Sequence, residues 1–147
     1  MMVRGSRMAV LTLALGLVLG ACDDDDSTAP PIGTPWGAEL AEEAGSGVTG
    51  LVSAEAFDDE FDVEVAIVDA AEDETYTWYV GEGEACSDDA DRLGDGEDYP
   101  SLEPDAEGEA AASASVTGVL ADDGEYHVAV WADGAEELVA CGQLVQD

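Results

Sequence analysis

Phe61-Asp62-Val63-Glu64-Val65-Ala66-Ile67 alternates without a break, with Phe61, Val63, Val65 and Ile67 on one side and Asp62, Glu64 and Ala66 on the other. Successive side chains of an extended chain point to opposite faces, so this stretch predicts a strand with one buried and one wet face. Working outward, Val48 to Ala56 predicts a weaker strand punctuated by glycine. Thr75-Tyr76-Thr77-Trp78-Tyr79-Val80 is rich in the β-branched and aromatic residues that suit a pleated surface. Ala110 to Val119 alternates small apolar residues with Ser113, Ser115 and Thr117. An alanine-rich helix over 105–116 is the competing reading, and the Ser and Gly content argues against it. Asp122-Asp123-Gly124 signals a turn before a strand over Tyr126 to Trp131, and Leu138 to Val145 reads as the last strand. Six or seven short strands define an all-β fold, an antiparallel sandwich or flattened barrel over 36–147.

The N-terminus has a different character. Arg4 and Arg7 precede an apolar run from Ala9 to Leu19, which closes on Leu19-Gly20-Ala21-Cys22. A basic start, a short apolar core and small residues before a cysteine describe a lipoprotein signal, so residues 1–21 are expected to be removed and Cys22 to carry lipid. An uncleaved anchor is the alternative, although a spanning helix needs about 20 apolar residues. Either way the remainder is expected in the cell envelope, held on the extracytoplasmic side of a membrane. Residues 22–35 read as an acidic tether: Asp23 to Asp26 repel one another, and Pro30, Pro31 and Pro35 favour extended chain.

The chain carries 36 acidic and three basic residues, for a formal charge of −33. Arg4 and Arg7 belong to the signal, so Arg92 is the only basic residue of 22–147. Such a balance excludes nucleic acid as a general partner, since phosphates need basic contacts. It also strains the compact state by self-repulsion, which salt screens. A saline habitat is one source of that bias. A GC-rich genome, which depletes Lys and Asn codons, is the other, but it should raise Arg.

With Cys22 lipidated, Cys86 and Cys141 remain, and outside the cytoplasm such a pair is expected to form a disulfide. A thiol metal site is the alternative, and no other ligands lie near in sequence. Between Gly81 and Ala110 runs a long loop with Asp88, Asp89, Asp91, Asp95, Glu97 and Asp98. An acidic surface loop is the plain reading; Ca²⁺ binding by 87–98 is the alternative. Its register departs from a helix–loop–helix calcium loop, with Leu93 at a ligand position and Pro100 at the place of the closing Glu.

Trp78-Tyr79-Val80-Gly81-Glu82-Gly83-Glu84-Ala85-Cys86 resembles the copper-binding strand of copper–zinc superoxide dismutases, where an aromatic residue precedes His-Val-His-Glu and a cysteine follows. Val139-Ala140-Cys141-Gly142 is similar to that family's C-terminal Ala-Cys-Gly, whose cysteine pairs with the first. Asp105 to Ala110 resembles the intervening turn and strand, and Tyr126 to Trp131 the strand that ends in a further copper ligand. The likeness covers roughly 48–145 and implies a Greek-key sandwich with the Cys86–Cys141 bridge. The metal ligands are missing: Tyr79, Gly81 and Trp131 occupy the copper-histidine positions, the zinc-loop histidines are absent, and His127 is the only histidine. Copper chemistry in that family needs several imidazoles, so residual copper or dismutase activity is not expected.

Strand parity puts Trp78 and Val80 inside with Tyr126, Val128 and Val130, and turns Tyr79, Gly81, His127, Ala129 and Trp131 outward. In the resembling fold those outward faces adjoin, so Tyr79 and Trp131 make an aromatic pair; packing under a loop is the plain reading, and a surface contact for a ligand or partner is the functional one. No nucleophile constellation or phosphate loop is visible. The expectation is a non-catalytic binding or structural module that needs no cofactor or metal.

Overall fold

Residues 32–83, 86, 90–133 and 136–147 are described by a computed structural model, and all lie within one compact unit, Pro31–Asp147. The expectations for the signal segment, Cys22 and most of the tether lie outside the described residues, as do those for Asp88 and Asp89. Among the described residues seven strands form: β1 (Thr34–Glu42), β2 (Thr49–Ala56), β3 (Glu60–Val68), β4 (Tyr76–Glu82), β5 (Ala110–Thr117), β6 (Tyr126–Ala132) and β7 (Glu137–Gln146). One 3₁₀ turn, Gly96–Asp98, is present, and no helix there is long and apolar enough to cross a membrane. Ala110–Thr117 is a strand, not a helix; Gly108, at φ 80°, reverses the chain just before it. β1 starts at Thr34, inside the stretch read as tether, because Thr34 and Pro35 pair with Ala56 and Glu55 of β2.

All strand pairs are antiparallel, in the order β4-β6-β7-β1-β2-β3-β5, and the sheet curls into a half-barrel. Chain length forces the curl. Val68 of β3 and Tyr76 of β4 are eight residues apart in sequence, yet their strands sit five places apart in the sheet. Five strand spacings in a flat sheet span about 24 Å. Eight residues reach about 27 Å only when fully stretched, and this connection contains a turn closed by Glu74 N–H donating to the Ala71 carbonyl (3.2 Å). The β5–β6 connection bridges the same number of places. Both connections end alike: the hydroxyls of Tyr76 and Tyr126, each opening a strand, accept from the backbone N–H of Ala71 (3.0 Å) and Ala121 (2.9 Å), five residues back. Gly124 is needed for the second, since a Cβ there would overlap the Tyr126 ring.

The core lies on the concave face. β3 alternates as read, with Phe61, Val63, Val65 and Ile67 buried and their neighbours exposed. Burial of each such side chain contributes roughly 1.5–3 kcal/mol. Trp36 meets Tyr126 edge-on (5.7 Å between centroids), and Trp78 meets Tyr99 (5.0 Å).

The long loop departs from the surface-loop reading. Its second half enters the core: Leu102 is wholly buried and Tyr99 nearly so. It also lines the free edge of β4. Leu93 N–H donates to the Val80 carbonyl (2.9 Å), Glu82 N–H to Asp91 (2.8 Å), and Tyr76 and Leu102 exchange both backbone bonds at 2.9 Å. These bonds satisfy strand groups that would otherwise be open to another chain. The loop thus fills the gap between the two ends of the sheet, and apolar side chains follow it inward because nothing else seals that side.

Candidate functional site

β4 and β6 pair so that Thr77 lies opposite Trp131, Tyr79 opposite Ala129 and Gly81 opposite His127. These residues share the convex face, and Cys141 joins them through its pairing with Ala129. Parity assigned that face correctly, but exposure does not follow from it. His127 and Ala129 are wholly buried, Gly81 is buried, and Tyr79 and Trp131 are half-buried. Gly83 and Cys86 supply the cover. Gly83 N–H donates to the Glu125 carbonyl (2.7 Å), and Cys86 stands over Cys141, 55 residues on in sequence, with their Cα atoms 6.1 Å apart. That separation lies within the usual range for a disulfide.

His127 is the one buried polar or charged side chain among the described residues. Its Nδ1 lies 2.8 Å from the Gly83 carbonyl oxygen, which can only accept, so Nδ1 carries the hydrogen. Nε2 is buried without a partner and faces Gly81, where a Cβ would sit 2.7 Å from it. Only glycine leaves the ring that room. His127 is a packed residue of the covered face, and no second imidazole exists in the chain to build a metal site with it.

Beyond the cover, the same face opens into a cleft of about 640 Å³. Tyr79 and Trp131, diagonal neighbours on β4 and β6, both line it, with Thr77, Tyr99, Arg92 and Glu136 around them. Diagonal neighbours are within reach of aromatic side chains. A bulge between Val130 and Trp131 shifts the β6–β7 register at this point, the kind of irregularity that re-aims a side chain. Trp131 Nε1 is buried and donates to no partner, whereas Trp78 Nε1 donates to the Pro100 carbonyl (2.7 Å) and the Tyr99 hydroxyl to the Leu93 carbonyl (2.7 Å). Burial pushes the Tyr99 hydroxyl pKa up from 10.0 to about 12, so it stays neutral. The Arg92 guanidinium carbon lies 5.9 Å from the Tyr79 ring centre, and the group rests flat on Gly96, whose absent Cβ would meet it at 3.1–3.3 Å.

Arg92, Tyr99, Thr77, Asp133 and Glu136 were not among the candidates read from the sequence. Arg92 carried a signal, as the only cation of 22–147. Asp91, Asp95, Glu97 and Asp98 do not gather: no group of three metal-ligating side chains occurs among the described residues, and Asp98 accepts instead from Asp95 N–H (2.9 Å) as a cap. Neither a scan of protein-family models nor a search of curated proteins returned a match to this chain.

Proposed function

We propose that this chain is a lipid-anchored envelope protein whose domain is a non-catalytic binding module of superoxide dismutase-like, Greek-key type, with the ligand held in the Tyr79–Trp131 cleft. The cleft carries the reading: a concave site with two half-buried aromatic side chains and the one cation of an otherwise acidic domain. The β3–β4 and β5–β6 connections, each crossing five places of the sheet, support the topology, since a simple meander sets successive strands side by side whereas a Greek key returns a strand by a long connection. Against catalysis stand Tyr79, Gly81 and Trp131 at the positions of the family's copper ligands and the enclosure of the sole histidine.

The test uses the protein as processed by the cell, purified in detergent from the membrane fraction of an expressing cell. Elemental analysis is expected to find no stoichiometric metal, and an envelope extract is expected to shift cleft resonances in the NMR spectrum of wild type but not of the Tyr79→Ala/Trp131→Ala variant, in protein whose circular dichroism spectrum remains that of the wild type. Stoichiometric copper overturns the non-catalytic reading. The mass of the purified protein is expected to show residues 1–21 removed and acyl chains on Cys22; an intact N-terminus with an unmodified Cys22 overturns the lipid anchor.

A further inference from the structure

The cleft presents groups of both signs around its aromatic floor. Arg92 lies on the β4 side against Tyr79, and Asp133 and Glu136 follow Trp131 at the turn into β7. The Trp131 indole N–H is enclosed beneath this floor, so the ring meets the cleft with its carbon surface. Four classes of small ligand compete for this lining, and each can be weighed by what it leaves unpaired. An organic anion meets Arg92 but is repelled by Asp133 and Glu136, in the field of a chain with formal charge −33. An organic cation meets the two carboxylates and is repelled by Arg92. A purely apolar ligand covers the aromatic side chains and strips water from Arg92 and the carboxylates without replacing it, which leaves each of them desolvated and unpaired.

A hydroxyl both donates and accepts, so a neutral ligand rich in hydroxyls satisfies Arg92, Asp133 and Glu136 together. The negative faces of Tyr and Trp favour polarised C–H groups laid across them. A sugar ring offers both features: hydroxyls at its rim and C–H groups on its faces. Arg92 and Glu136 sit on segments separated by strands β4 and β6, so the lining is wider than a single strand spacing and suits more than one ring. We infer that the cleft binds a short neutral glycan, with a sugar face on Trp131 and hydroxyls bonded to Arg92 on one side and to Asp133 and Glu136 on the other. This rests on the binding-module reading given above and names its ligand class.

The experiment follows the indole N–H resonance that Trp131→Phe removes, in the membrane-purified protein in detergent. The probes are tetrasaccharides of glucose, mannose and N-acetylglucosamine at millimolar concentration, with phenylalanine, benzoate and benzylamine as zwitterionic, anionic and cationic probes. At least one tetrasaccharide is expected to shift this resonance and to bind more tightly than its monosaccharide. Trp131→Ala and Arg92→Gln are each expected to weaken binding tenfold or more, about 1.4 kcal/mol, in protein whose circular dichroism spectrum remains that of the wild type. Charged probes that move the resonance where no sugar does overturn the glycan while leaving a binding module in place. If the sugars fail but an envelope extract moves it, the glycan alone falls. If neither probes nor extract moves it, the glycan and the binding-module reading fall together.

Discussion

Gly81→Ala is expected to change sign with the residue opposite it. In the wild-type background the new Cβ would lie 2.7 Å from His127 Nε2, 2.8 Å from Cε1 and 3.3 Å from Tyr79 Cε2. The imidazole has little freedom to retreat, being wholly buried with Nδ1 bonded to the Gly83 carbonyl. Overpacking of this kind costs about 1–3 kcal/mol, and loss of the Nδ1 bond adds about 1. Against this, alanine restricts the unfolded chain and returns roughly 0.5–1 kcal/mol. The net loss is about 1–3 kcal/mol.

His127→Ala removes the ring and costs about 2–4 kcal/mol as a large-to-small core change. In that background the methyl at position 81 enters vacated space, and only the entropic gain remains. Gly81→Ala should then be neutral or stabilising by up to about 1 kcal/mol, a coupling of about 2 kcal/mol. Urea unfolding of the four proteins at one fixed salt concentration, followed by tryptophan fluorescence and circular dichroism, measures the cycle. Where His127→Ala does not fold, His127→Val takes its place. Additive effects, within about 0.5 kcal/mol, would refute the claim that Gly81 is glycine to admit the imidazole.

Two further outcomes follow from the same packing. Reduction, or Cys86→Ser with Cys141→Ser, opens a loop of 55 residues and is expected to cost about 4 kcal/mol by loop-closure entropy, read as a lower urea midpoint; an unmoved midpoint refutes it. Tyr99 keeps its proton to about pH 12 in the folded protein but titrates near 10 when unfolded. Its contribution is complete below pH 10 and falls by about 1.4 kcal/mol per pH unit up to about 12, and Tyr99→Phe should remove that component from the alkaline limb of the stability profile.

The strands were legible in the sequence because their signal is local. Phe61 to Ile67 alternates within seven residues, and β3 shows that alternation as buried and exposed positions. Parity also put Tyr79 and Trp131 on one face. It did not reveal that His127 and Ala129 on that face are covered, because the cover is Gly83 and Cys86, the latter over Cys141 far along the sequence. Periodicity reports which side a residue faces, not what lies over that side. The loop failed for a different reason. Its carboxylates drew attention, while Leu93, Tyr99 and Leu102, too irregularly spaced to read as strand or helix, are the residues that pack. Arg92 stood out in the composition, but its place in a cleft depends on Gly96 and Tyr79, which only the fold brings to it.

Closure of the fold and construction of the cleft depend on one segment. The half-barrel leaves its two edge strands, β4 and β5, unpaired with each other, and residues 91–102 stand between them. The backbone of that segment satisfies the open edge of β4 at Val80 and Glu82, and Leu102 and Tyr99 supply the missing apolar wall. Arg92 lies between the two residues that make those edge bonds, Asp91 and Leu93, and this brings its guanidinium to Tyr79. An anchor built on a free loop would lose the entropy of ordering that loop whenever a ligand bound. Here the ordering is already provided by folding, through edge bonds and a buried leucine and tyrosine. A lone cation in a strongly acidic domain is therefore held at the rim of the cleft by the same contacts that seal the core.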